Sequence, residues 1–131
     1  MKQLVFGLGL LAVTFSACTK KRTTPTGFWT GKLTAPPSEG GAITDMACLI
    51  NGNGSMVYYS SKAAGDTSNV YWRGVGTWTS NGTNVSMQFV DPSSNHSYNM
   101  EGKANADLNQ MDGSMKVDVI ADWFRFTAVC E

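Results

Sequence analysis

The side chains of this sequence that could support nucleophilic catalysis lie close together in one stretch. His96, the only histidine, follows Asp91, Ser93 and Ser94 in the segment DPSSNH. Serine, histidine and aspartate form hydrolytic triads, but a triad needs each group to orient the next in space. Neighbours along one loop do not meet that requirement, whereas Asp, Pro, Ser and Asn are common in turns. We therefore predict a turn here, no catalytic residue and no enzyme.

Metal ions, cofactors and nucleic acids are not indicated either. The three cysteines and His96 are far apart in sequence, so the spacing of a zinc site is missing. From residue 27 onward the chain has six Lys or Arg and ten Asp or Glu residues, which is not the basic balance of a nucleic-acid-binding domain. We predict no metal site, no cofactor and no nucleic-acid partner, and the sequence does not define a protein partner.

Residues 1–17 have the pattern of an export signal. Lys2 precedes an apolar run over 4–15, and small residues lead to Ala17 and Cys18. The run is too short for a stable transmembrane span. The segment FSAC resembles the bacterial lipobox, whose cysteine is acylated and becomes the new N-terminus. This predicts a lipid on Cys18 as the membrane anchor, with ordinary signal-peptidase cleavage as the alternative.

Residues 18–26 would then form a basic tether. Lys20, Lys21 and Arg22 either rest against anionic head groups or belong to a solvated linker. In lipoproteins that resemble this chain, Asp after the lipidated cysteine commonly means inner-membrane retention. Thr19 at that place points to the outer membrane of a bacterial envelope, on a face that the sequence does not define.

With Cys18 lipidated, Cys48 and Cys130 remain as an even pair in an oxidising compartment. This predicts a disulfide between them, with two separate buried thiols as the alternative.

The chain from residue 27 is rich in glycine, polar turn residues and alternating patterns, which favours strands. NGNG at 51–54 and SNGT at 80–83 are hairpin signals. We predict eight strands, over 28–34, 43–51, 55–62, 70–79, 84–90, 96–106, 110–120 and 122–130.

Alternation is strict in several of these segments, as in 110–120, where Met111, Met115, Val117 and Val119 share one parity. Period-two alternation indicates antiparallel strands with one buried face. Short connections between successive strands favour an up-and-down meander, and closing it removes the exposed edges. We predict an all-β, eight-stranded antiparallel up-and-down barrel over 27–131, with a two-sheet sandwich as the alternative.

The segments GFWTGKL, GVGTWTSNGTNVSMQF, YNMEGKA, MDGSMKV and WFRFTAVC carry a family resemblance. Together they make 27–131 similar to the small lipocalin-like (calycin) domains of lipoproteins from Bacteroidetes-type bacteria. The resemblance implies that Trp29 is a structural residue that closes the barrel floor, and that Gly27 lets the chain enter the first strand. It also implies an arginine near that tryptophan, for which Arg125 is the candidate on the last strand.

The predicted interior is rich in methionine, which adapts to packed cores and to ligands alike. Eight strands enclose either a packed core or room for one small ligand. The two hypotheses are therefore a packed barrel and an apolar cavity for a fatty acid, isoprenoid or similar molecule. The residues that would line the cavity are Met46, Met87, Phe89, Tyr98, Met100, Met115, Val117, Phe124 and Phe126. Ligand entry is expected near the loops at 38–41, 63–69 and 91–95.

Aromatic residues in neighbouring strands offer a second kind of site. Tyr58, Tyr59, Tyr71 and Trp72 would form a surface or rim patch that suits a sugar or a protein.

Three functions are consistent with these features. The first is a non-catalytic lipocalin-like lipoprotein that binds a small hydrophobic ligand. The second is an inhibitor of a secreted protease or lysozyme, because ACLINGNG after GFWTGKL is similar to protease inhibitors whose N-terminal segment enters the active site. The third is a purely structural envelope lipoprotein.

Overall fold

The computed structural model describes residues 22–61 and 70–131, with side chains over 22–60 and 72–131. The predicted export signal, the predicted lipidation site Cys18 and the loop at 63–69 lie outside the described residues. Within the two described ranges, no helix is long and apolar enough to cross a membrane.

Eight antiparallel strands form one closed barrel in which each strand pairs with the next and the first pairs with the last. The strands are β1 (Gly27–Thr34), β2 (Ile43–Ile50), β3 (Ser55–Ser61), β4 (Val70–Asn81), β5 (Asn84–Val90), β6 (Ser97–Ala104), β7 (Gln110–Val117) and β8 (Phe124–Cys130). A 3-10 turn (Pro37–Glu39) lies between β1 and β2. The predicted up-and-down barrel is confirmed, and the two-sheet sandwich was the wrong alternative.

The alternation that predicted the strands also divides inside from outside. In β6, Tyr98, Met100, Gly102 and Ala104 are buried, and the residues between them are exposed. β5 follows the same pattern with Val85, Met87 and Phe89 inside. The barrel interior is therefore made by one residue in two along each strand.

The two ends of the barrel differ because successive strands run in opposite directions. The connections over 35–42, 91–96 and 118–123 lie at one end, which we call the mouth. The hairpins over 51–54, 82–83 and 105–109 lie at the other end, the floor, where β1 begins. Of the three loops predicted to surround ligand entry, 38–41 and 91–95 lie at the mouth, and 63–69 lies outside the described residues.

The floor is closed by Trp29 and by the segment that precedes β1. Trp29 is 0% exposed, and its indole Nε1 donates a 2.8 Å hydrogen bond to the carbonyl oxygen of the buried Pro25. Gly27, at φ 133°, turns the chain into β1 between these two residues. Trp29 is thus held by backbone as well as by packing, because a buried indole N–H needs an acceptor.

Arg22 also belongs to the floor. Its Nη1 donates to the carbonyl oxygen of Leu108 at 3.4 Å and to Sγ of Cys130 at 3.0 Å. Partial burial lowers the pKa of Arg22. Arg125, the candidate implied by the family resemblance, lies exposed on the outer wall. The arginine at the floor comes from the segment predicted to be a tether, so the described residues 22–26 belong to the packed structure together with 27–131.

Strand β7 is shorter than predicted. It ends at Val117, where the N–H of Ile120 bonds to the carbonyl oxygen of Val117 at 3.2 Å and starts a turn. Val119, which shares the inward parity of Met115, is 66% exposed. The predicted strand is too long because alternation continues into the turn, and parity alone does not mark where pairing stops.

The predicted disulfide between Cys48 and Cys130 is wrong. Cys48 is a free, buried thiol. Both cysteines are in register with Trp29, but on opposite sides of β1. Two strand spacings place their Cα atoms about 9–10 Å apart, and a disulfide needs less than about 7 Å.

Glycines mark the places where neighbouring strands approach most closely. A Cβ on Gly31 of β1 would overlap with the Thr127 carbonyl oxygen of β8. A Cβ on Gly113 of β7 would overlap in the same way with the Glu101 carbonyl oxygen of β6. Only glycine allows the backbone to bend there as a small barrel requires.

Replacing Gly31 with Ala is expected to destabilise the barrel by about 1–3 kcal/mol, because the new methyl group meets backbone that cannot rotate away. Gly52→Ala is the matched control, since a Cβ on Gly52 meets nothing within 4 Å. Urea unfolding followed by tryptophan fluorescence measures both variants. Equal stability of the two would show that strand closure does not depend on Gly31.

Candidate functional site

The residues predicted to line a cavity form a closely packed core. Eight of the nine point inward and are buried, and Phe124 is half-buried and packs against them. The buried eight are Met46, Met87, Phe89, Tyr98, Met100, Met115, Val117 and Phe126. An eight-stranded interior is just wide enough for such side chains to fill. A ligand inside the barrel must therefore displace side chains.

Four aromatic rings form a cluster in the mouth half of the interior, which we call the ring cluster: Tyr58, Trp72, Phe89 and Tyr98. They come from the consecutive strands β3, β4, β5 and β6. Phe89 stacks on Tyr58 with centroids 4.9 Å apart and on Tyr98 at 5.2 Å. Trp72 lies 4.7 Å from Tyr98 and 5.0 Å from Tyr58. The rings are thus in mutual contact near the mouth.

The ring cluster depends on a missing side chain in β4. A Cβ on Gly74 would overlap with the edge of the Phe89 ring. Gly74 is the register partner of Tyr58, so its lack of a side chain gives both rings their space. The prediction of a rim patch is wrong for Tyr58, which is fully buried, whereas Trp72 is half-buried and its ring contacts the other rings of the cluster. Tyr59 lies on the outer face, half-buried, and the side chain of Tyr71 is not described.

The hydroxyl of Tyr58 is the unusual group of the interior. The residue is fully buried, and among the described residues its hydroxyl has no hydrogen-bond partner. A buried hydroxyl without a partner costs about 1–3 kcal/mol. Burial, followed by the nearby Cys48 and Tyr98, raises the pKa of Tyr58 well above its ordinary value. Tyr58 therefore stays neutral and able to donate a hydrogen bond.

Cys48 is the register partner of Tyr58 and also points inward. Burial raises the pKa of the Cys48 thiol to about 12, so the thiol is protonated and unreactive at neutral pH. The interior thus presents two neutral polar groups side by side in an apolar surrounding.

The loop that holds Asp91, Ser93, Ser94 and His96 is a turn, as predicted. The Asp91 carboxylate accepts hydrogen bonds from the Ser93 N–H at 2.9 Å, the Ser93 hydroxyl at 2.7 Å and the Ser94 hydroxyl at 3.1 Å. Burial works to raise the pKa of Asp91, but these bonds outweigh it and lower the pKa. In the described parts of the chain, no group of three or more His, Cys, Asp or Glu is placed to hold a metal ion.

The mouth carries negative charge close to the ring cluster. Burial raises the pKa of Tyr98, and the carboxylates of Asp91 and Asp118 raise it further. Asp118 also lies 3.3 Å from Nδ1 of His96. Asp122 accepts a 2.5 Å hydrogen bond from the Ser38 hydroxyl, which ties two mouth loops together beside β1 and β8.

A separate depression runs along the outer wall of the barrel, which we call the outer groove. Two adjoining cavities of about 530 and 680 Å³ share Lys103, Asp112 and Thr127 as lining residues. The part nearer the floor extends to Gln110, and the part nearer the mouth extends to Trp123. No sequence pattern predicts this groove, because its shape comes from the bends of four strands.

No family model and no curated protein matches this chain. Among solved structures, a redesigned β-barrel superposes with a TM-score of 0.60 over 81% of this chain and 90% of that chain, at 12% identity. A secretary abundant heat soluble (SAHS) protein from Ramazzottius varieornatus gives a TM-score of 0.47 over 86% and 99%, at 14% identity. At such identities the likeness shows the barrel fold alone.

Replacing Tyr58 with Phe is expected to stabilise the ligand-free protein by about 1 kcal/mol, because it removes a buried hydroxyl that has no partner among the described residues. Tyr59→Phe, one residue along on the outer face, is the matched control and should be neutral. Thermal and urea unfolding measure the difference. A less stable Tyr58→Phe protein would mean that the hydroxyl is already satisfied.

Proposed function

We propose that this chain is a non-catalytic, lipocalin-like binding lipoprotein of the bacterial outer membrane. It holds a small apolar molecule in the mouth half of the barrel, against the ring cluster. The observation that carries the proposal is the buried Tyr58 hydroxyl, which lacks a partner within the described chain and lies among stacked rings. An orphaned buried polar group calls for an explanation, and a ligand acceptor supplies one.

Space for the ligand would come from side chains that change conformation at a small cost in free energy. Met87 and Met100 are register partners just below the ring cluster, and Met115 follows on the next strand. Methionine has three rotatable bonds and a polarizable sulfur, so it refills irregular space after displacement. Flat rings such as Tyr98 can slide while keeping stacked contact with a flat ligand.

The charge at the mouth favours one ligand class. Asp91 and Asp118 act on the Tyr98 phenol, so an entering carboxylate would meet like charge. A neutral or amine-bearing ring compound avoids that repulsion, and the Tyr58 hydroxyl can donate a hydrogen bond to a neutral acceptor or accept one from an amine. We therefore favour a planar apolar molecule with one polar, non-anionic group over a fatty acid.

Titration with 1-aminoanthracene is expected to show micromolar binding through enhanced probe fluorescence and quenched tryptophan fluorescence. Anthracene-9-carboxylate, of the same ring size but anionic, should bind more weakly, and added salt should narrow the gap. Tyr58→Phe should weaken aminoanthracene binding about tenfold through the lost hydrogen bond, while Tyr59→Phe leaves it unchanged.

Two results would contradict this proposal. If neither probe binds, the barrel is a packed core that holds no interior ligand. Binding that is indifferent to Tyr58→Phe would move the site away from the ring cluster.

The proposed anchor also sets an orientation. Only residues 19–21 separate Cys18 from Arg22, which is bonded to the floor. Four residue steps span at most roughly 14 Å. A lipid on Cys18 would therefore hold the floor close to the membrane and direct the mouth into the aqueous phase.

Cys18→Ala is expected to abolish labelling by radioactive palmitate and to release the protein from the membrane fraction. For orientation, a fluorophore on Asn53→Cys at the floor should be quenched by head-group-labelled lipid more than one on Ser94→Cys at the mouth. Equal quenching of the two positions would overturn the orientation, and palmitate labelling that persists in Cys18→Ala would overturn the anchor.

The alternative of a protease inhibitor gains no support from the described residues. An N-terminal segment that enters a protease must be free, whereas Pro25 is buried and bonded to Trp29. The lysozyme-inhibitor and purely structural alternatives have no observation in their favour.

A further inference from the structure

The outer groove owes its depth to strand bends at two glycines. Gly31 lines its lower part and Gly113 its upper part. At both positions the carbonyl of a neighbouring strand occupies the space of a side chain. The wall of the barrel is concave there in a way that the backbone fixes, so the groove is preformed.

The groove is lined by hydrogen-bonding side chains and one large aromatic ring. Gln110, Ser114 and Thr127 supply an amide and two hydroxyls, whereas the amide of Asn105 is already bonded to Asn109 and to the N–H of Gln110. Trp123 is 49% exposed at the upper end, although it is among the largest apolar side chains of the protein. An exposed indole beside many polar groups suits a ligand with one apolar face and many hydroxyls.

The groove lining has an excess of one positive charge in a domain that is acidic overall. Lys103 and Arg125 line it, and neither forms an ion pair with another described residue. Asp112 is its one acidic lining residue. Glu101, also on β6, instead accepts a hydrogen bond from Ser86 on β5, away from the groove. Lys103 is the register partner of Asp112, whereas Arg125 is opposite Ser114, so Arg125 is the cation that favours an anionic ligand.

The closed barrel argues against a peptide in this position. Peptides that bind to sheets commonly add a strand at an open edge, and a closed barrel has no edge. A peptide bound through its side chains would need several apolar pockets, whereas the exposed side chains of this groove are polar except for Trp123 and Val129. The ligand class that remains is a chain of hydroxyl-rich rings that carry negative charge.

We propose that the outer groove binds an acidic polysaccharide. The face of one sugar ring stacks on Trp123, and Arg125 and Lys103 pair with carboxylates or sulfates along the chain. The amide of Gln110 and the hydroxyl of Thr127, nearer the floor, bind the sugar hydroxyls. This site is separate from the barrel interior, so it does not depend on the proposed ring-cluster ligand.

Calorimetric titration of the purified chain with oligogalacturonate, oligomannuronate and heparin oligosaccharides tests the proposal. At least one of the three should bind. If oligogalacturonate is the ligand, its methyl ester, which lacks the negative charge, should bind at least about tenfold more weakly than the free acid. Binding should weaken as salt concentration rises.

Variants locate the site. Trp123→Ala and Arg125→Gln should each reduce affinity about tenfold, because each removes one anchoring contact. Arg73→Gln removes an exposed cation from β4, outside the groove lining, and should change nothing. All three variants should bind 1-aminoanthracene like the unmodified chain.

Three results would overturn this proposal. They are no binding of any of the three acidic saccharides, an equal loss of affinity in Arg73→Gln and Arg125→Gln, and tighter binding of poly-glutamate than of every saccharide. The last would identify an acidic peptide as the ligand.

Discussion

The pairing of β1 with β8 is the contact on which the rest of this structure depends. It runs from Trp29 opposite Cys130 to Thr34 opposite Arg125 and joins the two ends of the folded chain. Closure leaves no strand edge, so every inward side chain must pack against the others. It also requires the bend at Gly31, where β8 backbone fills the side-chain position. The floor seal by Trp29 and Pro25 follows from the same pairing, because it forms where β1 enters the barrel.

Closure also decides where binding can occur. The interior is filled, and its polar groups include the paired side chains of Cys48 and Tyr58. Burial raises the pKa of both, which keeps them neutral. An interior ligand therefore meets an apolar space with the Tyr58 hydroxyl as a donor, whereas a ligand on the outer wall meets charges and amides. The two proposed sites differ in chemistry because one sheet has two faces.

Much of the fold could be predicted from sequence because alternation reports directly on burial. That Met100 points inward and Glu101 outward can be predicted without knowing which strands pair. The distance between two residues on different strands does depend on which strands pair. The Cys48–Cys130 disulfide was therefore predicted wrongly, because β1 lies between the two cysteines. The role of Tyr58 was open to prediction, since it shares parity with the buried Met56. The floor position of Arg22 and the outer groove could not be predicted from sequence. Arg22 is placed by the path of the segment before β1, and the groove is formed by bends of the strands.

The β1–β8 pairing has a consequence for how the chain acquires its structure. Trp29 and Cys130 are register partners although almost the whole domain separates them in sequence. Contacts of such long sequence separation form slowly, because loop-closure entropy must be overcome first. Until β8 pairs with it, β1 has an edge that is exposed to other chains. The protein is thus most vulnerable to aggregation until its final strand is complete, and a chaperone that shields this edge would be most useful before that point.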